Sequence, residues 1–368
     1  MKVTIFRDYP EEGFPSIEVY TNNLISGLKK QRLKFKIKPY LALAAWSKKL
    51  GYSSLKTRLI FRFVIYSLLA PFHQGDINHV VDHTYGHLVY FLNPRKTVVT
   101  VHDLDVLRLK FLKWPTFRDK VIRRLYLFSA SGLKRAAMII AVSEDTKNDL
   151  IRFLKIPAER IAVIPEGVEP VFKKIDNKEE LKRVKSKYHL PDKYLLHVGE
   201  CWQYKNIEGI LGVFKNLNEK KEFENLSFVK VGGTWTEEQK KLIRRLKIKD
   251  KVIKLPFVPR KDLPAIYNLA KILIQLSHLE GFGLTVLEAM ACGCPVVVSH
   301  TPALKSLVAK AGIVVNPKEV GGVTTAVSKL LRQETKHCRY SRLGLKRAKL
   351  FNWQKTAEET IKVYRGII

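Results

Sequence analysis

The stretch Leu279-Glu280-Gly281-Phe282-Gly283-Leu284-Thr285-Val286-Leu287-Glu288-Ala289-Met290-Ala291-Cys292-Gly293-Cys294-Pro295 decides how this chain is to be read. Two glutamates stand eight positions apart, with two glycines and the start of an apolar helical run between them. Strand-like runs flank the stretch, residues 272–277 before it and 295–299 after it. A strand, a glycine turn and a helix in that order bring bare backbone N–H groups to a helix N-terminus, which is a ready anion site. Gly281 and Gly283 let those amides approach a phosphate with no side chain in the way. A carboxylate at each end can accept hydroxyls. The pattern suits a sugar joined to a nucleotide through a diphosphate. The plainer alternative is one acid favoured by the helix dipole and one solvated glutamate.

Outward from this stretch, short β-branched runs alternate with longer helical patterns. The expected strands are residues 2–6, 35–40, 77–83, 97–102, 137–143 and 161–165 in the first half. In the second half they are 194–199, 227–232, 252–257, 272–277, 295–299 and 312–316. Such alternation predicts parallel sheets covered on both faces. Six strands in each half is the size of one doubly wound domain. Residues 165–192 hold three prolines, a highly charged helical run and few apolar anchors, which reads as a linker. The expected domains are therefore residues 1–170 and 171–352, with the helix of residues 353–368 returning to the first. Ligands bind such sheets outside the carboxyl ends of the strands, so a site is expected in a cleft between the two domains.

The 368 residues carry 66 Lys and Arg against 34 Asp and Glu, a net charge of +32. The excess is not confined to a tail. Between Glu18 and Asp76 there is no acid but there are eleven bases, among them Lys29, Lys30, Arg32, Lys34, Lys36, Lys38, Lys48, Lys49, Lys56, Arg58 and Arg62. Residues 108–135 hold nine bases against Asp119 alone, mixed with Phe111, Leu112, Trp114, Phe117, Leu125, Tyr126 and Phe128. Bases mixed with aromatics suit an anionic membrane surface first. An ordinary solvated charge excess is the next reading, and nucleic acid the least favoured. The cysteines Cys201, Cys292, Cys294 and Cys338 form no CxxC pair and read as reduced thiols. No secretory signal is visible and no run is long enough to span a bilayer, so a cytoplasmic protein, peripheral on the inner face of the membrane, is expected.

Several strings together are similar to the family 4 (group 1) glycosyltransferases, mostly retaining enzymes of the GT-B fold. Glu280 to Pro295 resembles their E-x7-E motif. Val142-Ser143-Glu144-Asp145-Thr146-Lys147 and Ile164-Pro165-Glu166-Gly167-Val168 resemble the end of their first domain, and residues 199–206 their diphosphate loop. Pro256-Phe257-Val258-Pro259 and Leu263-Pro264-Ala265-Ile266-Tyr267 look like their nucleobase region, and Phe351-Asn352-Trp353 like the start of their last helix. The resemblance implies two doubly wound Rossmann-like domains facing a central cleft.

The resemblance also implies roles. Glu280 would contact donor-sugar hydroxyls, Glu288 would hold the ribose, and Lys205 would neutralise the leaving diphosphate. The residues Gly281, Phe282, Gly283, Leu284 and Thr285 would bind the donor through their backbone. His102, in His102-Asp103, would lie near the reacting centre. The implied activity is metal-independent, cofactor-free transfer of a sugar, with retention, from a nucleotide-diphospho-sugar to a saccharide or lipid-linked acceptor. Asp103-Leu104-Asp105 reads as a chance D-x-D string. His83 and His87 read as packing or cleft-lining residues. Three features depart from the family pattern. Phe14-Pro15-Ser16-Ile17-Glu18 replaces a Gly-Gly turn, Glu200 and Tyr204 stand where arginine is common, and Ser306 replaces a third glutamate. They leave open a second reading, a nucleotide-sugar-binding or scaffold protein that has lost turnover.

Overall fold

Twelve parallel strands in two six-stranded sheets form the frame of the molecule, described from a computed structural model over residues 1–13, 15–31, 36–43, 54–108 and 116–367. Phe14, Arg32, Lys34, Phe35, Lys48, Lys49, Phe111, Leu112 and Trp114 lie outside the described residues. The chain divides into two units, Met1–Gly167 with Asn352–Ile368, and Val168–Phe351.

In the first unit the strands are β1 (Lys2–Phe6), β2 (Lys36–Tyr40), β3 (Ile77–Val80), β4 (Thr97–Val101), β5 (Met138–Ala141) and β6 (Ile161–Val163), in spatial order β2-β1-β3-β4-β5-β6. In the second they are β7 (Tyr194–Val198), β8 (Ser227–Val231), β9 (Val252–Leu255), β10 (Ile272–Gln275), β11 (Val296–Ser299) and β12 (Ile313–Val315), in order β12-β11-β10-β7-β8-β9. The second order is that of the doubly wound dinucleotide fold, and it reverses between β7 and β10. In the first sheet the reversal falls between β1 and β3.

The strands form where the sequence is β-branched and apolar because central strands are buried on both faces. β4, β7 and β10 are buried along their whole length. Several strands end sooner than the apolar pattern suggests. β3 stops before Asp82-His83, β4 before His102, β7 before Gly199 and β8 before Gly232. Gly199 (φ +142°) and Gly232 (φ +74°) turn the chain out of the ladder in conformations that a Cβ disfavours. The residues cut from the strand ends are those that carry the polar clusters described below.

The helix Trp353–Arg365 packs within the first unit against the helix Pro15–Lys30. Its buried face is Trp353, Ala357, Ile361 and Tyr364, a helical repeat. A Cβ added at Gly27 would stand 2.9 Å from the Ala357 Cβ, so the two helices approach at small residues. Tyr364 Oη lies 2.6 Å from His79 Nδ1, and His79 Nε2 lies 2.8 Å from Thr100 Oγ1. Burial pushes the His79 imidazole down to about 3, so it works as a neutral bridge between helix and sheet.

Candidate functional site

The second unit gathers its polar groups where its strand order reverses. After β7 the chain passes through Gly199, a short turn Gln203–Lys205, and Asn206 in the left-handed conformation (φ +54°), then enters the helix Ile207–Asn218. Asn206 Oδ1 accepts the Gly209 amide at 3.3 Å and so caps that helix. Its Nδ2 donates to Leu276 O (3.1 Å) and Pro317 O (3.4 Å). One side chain thereby ties the loop after β7 to the loop after β10.

That tie brings Lys205 to Glu280. Lys205 Nζ donates to Glu280 Oε1 at 2.8 Å, joined by Gln275 Nε2 (2.7 Å) and Ser277 Oγ (2.8 Å). All three donors converge on one oxygen. No donor among the described residues reaches Oε2. Glu280 itself is buried.

Three residues later Gly283 (φ +101°) begins the helix Leu284–Ala291, with no side chain capping it. A Cβ there would stand 2.6 Å from Leu304 Cδ2, so the position needs glycine for space as well as for backbone angle. The amides of residues 281–285 donate to no protein acceptor among the described residues. They form the anion-ready turn expected from the sequence pattern.

Glu288 lies one turn into this helix and is buried. Its Oε1 accepts from Arg260 Nη2 (2.7 Å) and its Oε2 from Tyr267 Oη (2.9 Å). Arg260 also pairs with Glu169 and sits 4.7 Å above the Phe172 ring. Burial raises the Glu288 carboxyl above its usual range, against the pull of Arg260. Each oxygen keeps a second lone pair for a ligand hydroxyl.

Lys230, on β8, is fully buried and has three backbone carbonyls as acceptors: Gly199, Gly232 (2.8 Å) and Val231 (3.0 Å). Burial holds its pKa down to about 8. It braces the glycine turns after β7 and β8. Of the departures from the family pattern, Glu200 and Ser306 are both exposed to water. Tyr204 packs edge-on against Trp202, with ring centroids 5.5 Å apart.

The first unit has its own strand-end cluster. His102 follows β4, and its ring packs edge-on at 4.7 Å from Tyr20. His102 Nδ1 donates to Glu166 Oε1 (2.9 Å), and Nε2 donates to Val81 O (3.0 Å). A backbone carbonyl can only accept, and an ionised carboxylate likewise, so this pair of contacts favours the ring with hydrogen on both nitrogens. Burial alone would lower its pKa, but Glu166, by hydrogen bond and charge, and Asp82 raise it above the ordinary value. With both nitrogens engaged, His102 contributes charge and position rather than a free hydrogen-bonding nitrogen. Asp82 sits 2.9 Å from His83 Nδ1. Burial and the charge of Asp82 raise the carboxyl of Asp8 well above its usual range.

The other candidate strings separate. His87 lies 3.0 Å from Ser129 Oγ and 3.1 Å from Arg62 O, and burial pushes it down to about 3, while His83 faces Asp82. The two histidines share no partner, in keeping with packing roles. Asp103 Oδ1 accepts the Asp105 amide at 3.3 Å.

The sequence pattern alone did not single out Asn206, Lys230, Arg260, Tyr267, Asp8 or Asp82, and gave Glu166 no role. A usable signal exists for some of them: Asp8, Asp82 and Glu166 each stand within three residues of a strand's carboxyl end, where α/β sheets place their sites.

Comparison with known proteins bears on this geometry. The family model described as glycosyl transferases group 1 matches residues 178–347, and that described as glycosyltransferase family 4 matches residues 17–172. The O-antigen chain mannosyltransferase B of Escherichia coli is 28% identical over 306 residues, 82% of this chain and 79% of that protein. The sucrose-phosphate synthase of Thermosynechococcus elongatus superposes with a TM-score of 0.79 at 18% identity, over 100% of this chain and 99% of the other. Anabaena HepE, solved with UDP and glucose, superposes at 0.76 with 16% identity, over 100% of both chains. The two sheets are those of a GT-B glycosyltransferase.

Proposed function

The chain belongs to the group 1 glycosyl transferases, and from that premise we propose that it moves a sugar, with retention and without a metal ion, from a nucleotide-diphospho-sugar to a saccharide or lipid-linked acceptor in polysaccharide synthesis. The observation that carries this reading is the 2.8 Å contact of Lys205 with Glu280 beside the free amides of residues 281–285. It puts a cation, an anion-ready turn and a buried carboxylate with one open oxygen at a single strand reversal. The mannosyltransferase relative favours a mannosyl donor and a growing O-antigen chain as acceptor. The HepE complex with UDP and glucose supports a nucleotide-linked donor.

In this reading the diphosphate lies on the amides of residues 281–285 and on Lys205, and Glu288 accepts a ribose hydroxyl on its remaining lone pairs. Glu280 Oε2 accepts a sugar hydroxyl, which fixes the anomeric carbon. As the bond from that carbon to the phosphate oxygen breaks, the electron pair goes to the phosphate. Lys205 then stabilises a charge that is larger than in the ground state, which is what lowers a barrier. The acceptor oxygen bonds to the same carbon on the face the nucleotide leaves, and its proton passes to the departing phosphate. No protein nucleophile is needed. His102 serves as a fixed cation on the acceptor side.

A thermal-shift panel of nucleotide sugars identifies the donor, and transfer is then followed with the anomer of the product read by NMR. Retained configuration and full activity with chelator present are expected. An inverted product, or activity lost with chelator, refutes the mechanism. Donor binding with neither transfer nor donor hydrolysis would favour the scaffold reading, which Glu200, Tyr204 and Ser306 motivate.

A further inference from the structure

Residues 55–73 of the first unit are helical without interruption, through Leu55–Leu59, a wider turn at Ile60–Ile65, Tyr66–Leu69 and Ala70–His73. The inner face is ordinary. Phe61, Tyr66, Ser67 and Ala70 are buried, and Tyr66 Oη donates to Arg7 O (2.9 Å) and Tyr40 O (3.0 Å). The outer face is not. A surface helix normally turns charge to water. Here the outward row is Ile60, Val64, Leu68 and Phe72, at 43%, 49%, 61% and 82% exposure. The spacing of four through the wider and α-helical turns keeps Ile60, Val64 and Leu68 close to one line, and the tighter turn at Ala70–His73 adds exposed Phe72 at its end. Four large apolar groups in a row on the outside of a helix are not scattered surface residues; they mark a surface that meets something.

The surroundings of the row say what. Lys56 lies one step before it on the same spacing and is exposed. At the other end, Lys36 and Lys38 stand exposed on the edge strand β2. Lys38 and Lys2 are near enough to His73 to add to the effect of burial in lowering its pKa. The sequence holds no acidic residue between Glu18 and Asp76. A second copy of this chain would bring +32 against +32 and a basic face against a basic face. Nucleic acid would meet the lysines but has nothing to offer four apolar side chains. An anionic bilayer meets both, with headgroups for the lysines and the acyl boundary for the row.

We propose that the outward row Ile60, Val64, Leu68 and Phe72, flanked by Lys56 and Lys38, is the surface by which this protein lies on an anionic phospholipid membrane. It deepens the lipid-linked acceptor reading above by naming the partner and the face. It is tested with neither donor nor acceptor present, so it stands or falls apart from transfer.

The full chain is sedimented with vesicles of phosphatidylcholine alone and of phosphatidylcholine mixed with phosphatidylglycerol. Wild type is expected to bind the mixed vesicles and bind the neutral ones far more weakly. The double change Leu68→Gln with Phe72→Gln should lower binding to mixed vesicles by about tenfold, since each side chain loses burial in the acyl boundary. Ile60→Gln with Val64→Gln is a second, independent pair. Lys36→Glu with Lys38→Glu should weaken binding to mixed vesicles severalfold and leave neutral vesicles unchanged. All these side chains face water, so melting temperature should hold, and transfer to a soluble acceptor should persist. Equal wild-type binding to both vesicles, or Gln pairs that sediment like wild type, would overturn the proposal. So would light scattering that shows a dimer which the Gln pairs dissolve, because the row would then belong to a second copy.

Discussion

Two strand-end side chains, His102 in the first unit and Glu280 in the second, stand in opposite states of satisfaction. Both nitrogens of His102 are taken, by Glu166 and by the Val81 carbonyl, although Asp8 and His83 in the same unit keep buried polar atoms without a hydrogen-bond partner among the described residues. In the second, Lys205, Gln275 and Ser277 crowd onto one oxygen of Glu280, and the neighbouring amides are left unused. A closed cluster fixes charge and shape. An open one holds its bonding capacity for a ligand. A buried polar group without a partner costs free energy, so the open cluster is tolerable only where a ligand or water completes it.

The largest expected effect lies at the open cluster. Lys205→Ala and Glu280→Ala should each lower kcat by about a hundredfold to a thousandfold while leaving the fold intact, the size seen when one preorganised charge partner is removed. Steady-state transfer assays with circular dichroism as the folding control decide it. Full activity in Lys205→Ala would dissolve the contrast between the clusters. Next comes Gly283→Ala, which combines a φ of +101° with a Cβ 2.6 Å from Leu304. It should cost about 2 kcal/mol of stability in urea unfolding and weaken donor binding as well.

At the closed cluster, Glu166→Gln should cost about 1 to 2 kcal/mol at pH 6. Because the folded imidazole is raised, its contribution is whole below the unfolded value of about 6.5 and fades as pH climbs through the folded value. The stability gap between wild type and Glu166→Gln should therefore narrow with rising pH, and the His102 nitrogen resonances should change from imidazolium to neutral at lower pH in the variant. The smallest effect concerns Lys230. Its folded pKa of about 8 lies below its unfolded one, so wild-type stability should rise by about 1 kcal/mol as pH passes from about 8 to about 9. Lys230→Met should lack that rise.

Much of the frame could be read from the chain alone. β-branched runs buried on both faces announce parallel strands, and all twelve occur where the pattern placed them. The helix turn at Gly283 was legible because its chemistry is local, set by glycines and an apolar run within a few residues. The cross-links were not. Arg260 and Tyr267 stand 28 and 21 positions from Glu288, and Glu166 stands 64 from His102. Nothing in local propensity couples such pairs, and the sheet order that joins them is itself a tertiary fact. The ends of the strands were also misjudged, because a short apolar run does not reveal where a glycine leaves the ladder. The approach of Lys205 to Glu280 depends on Asn206, whose side chain spans two loops.

The split composition of the first unit has a consequence for synthesis. Its sheet is made from the early part of the chain, but the helix that covers it, with Ala357 against Gly27 and Tyr364 on His79, belongs to residues 352–368. On the ribosome the usual order, in which the N-terminal domain folds first, cannot be completed here. The continuous unit Val168–Phe351 can close while the earlier one still shows Val3, Ile5, Tyr20 and Leu24 along an uncovered face. Loss of residues 352–368 would thus damage the first unit rather than the second, and would expose that face to chaperones and to aggregation.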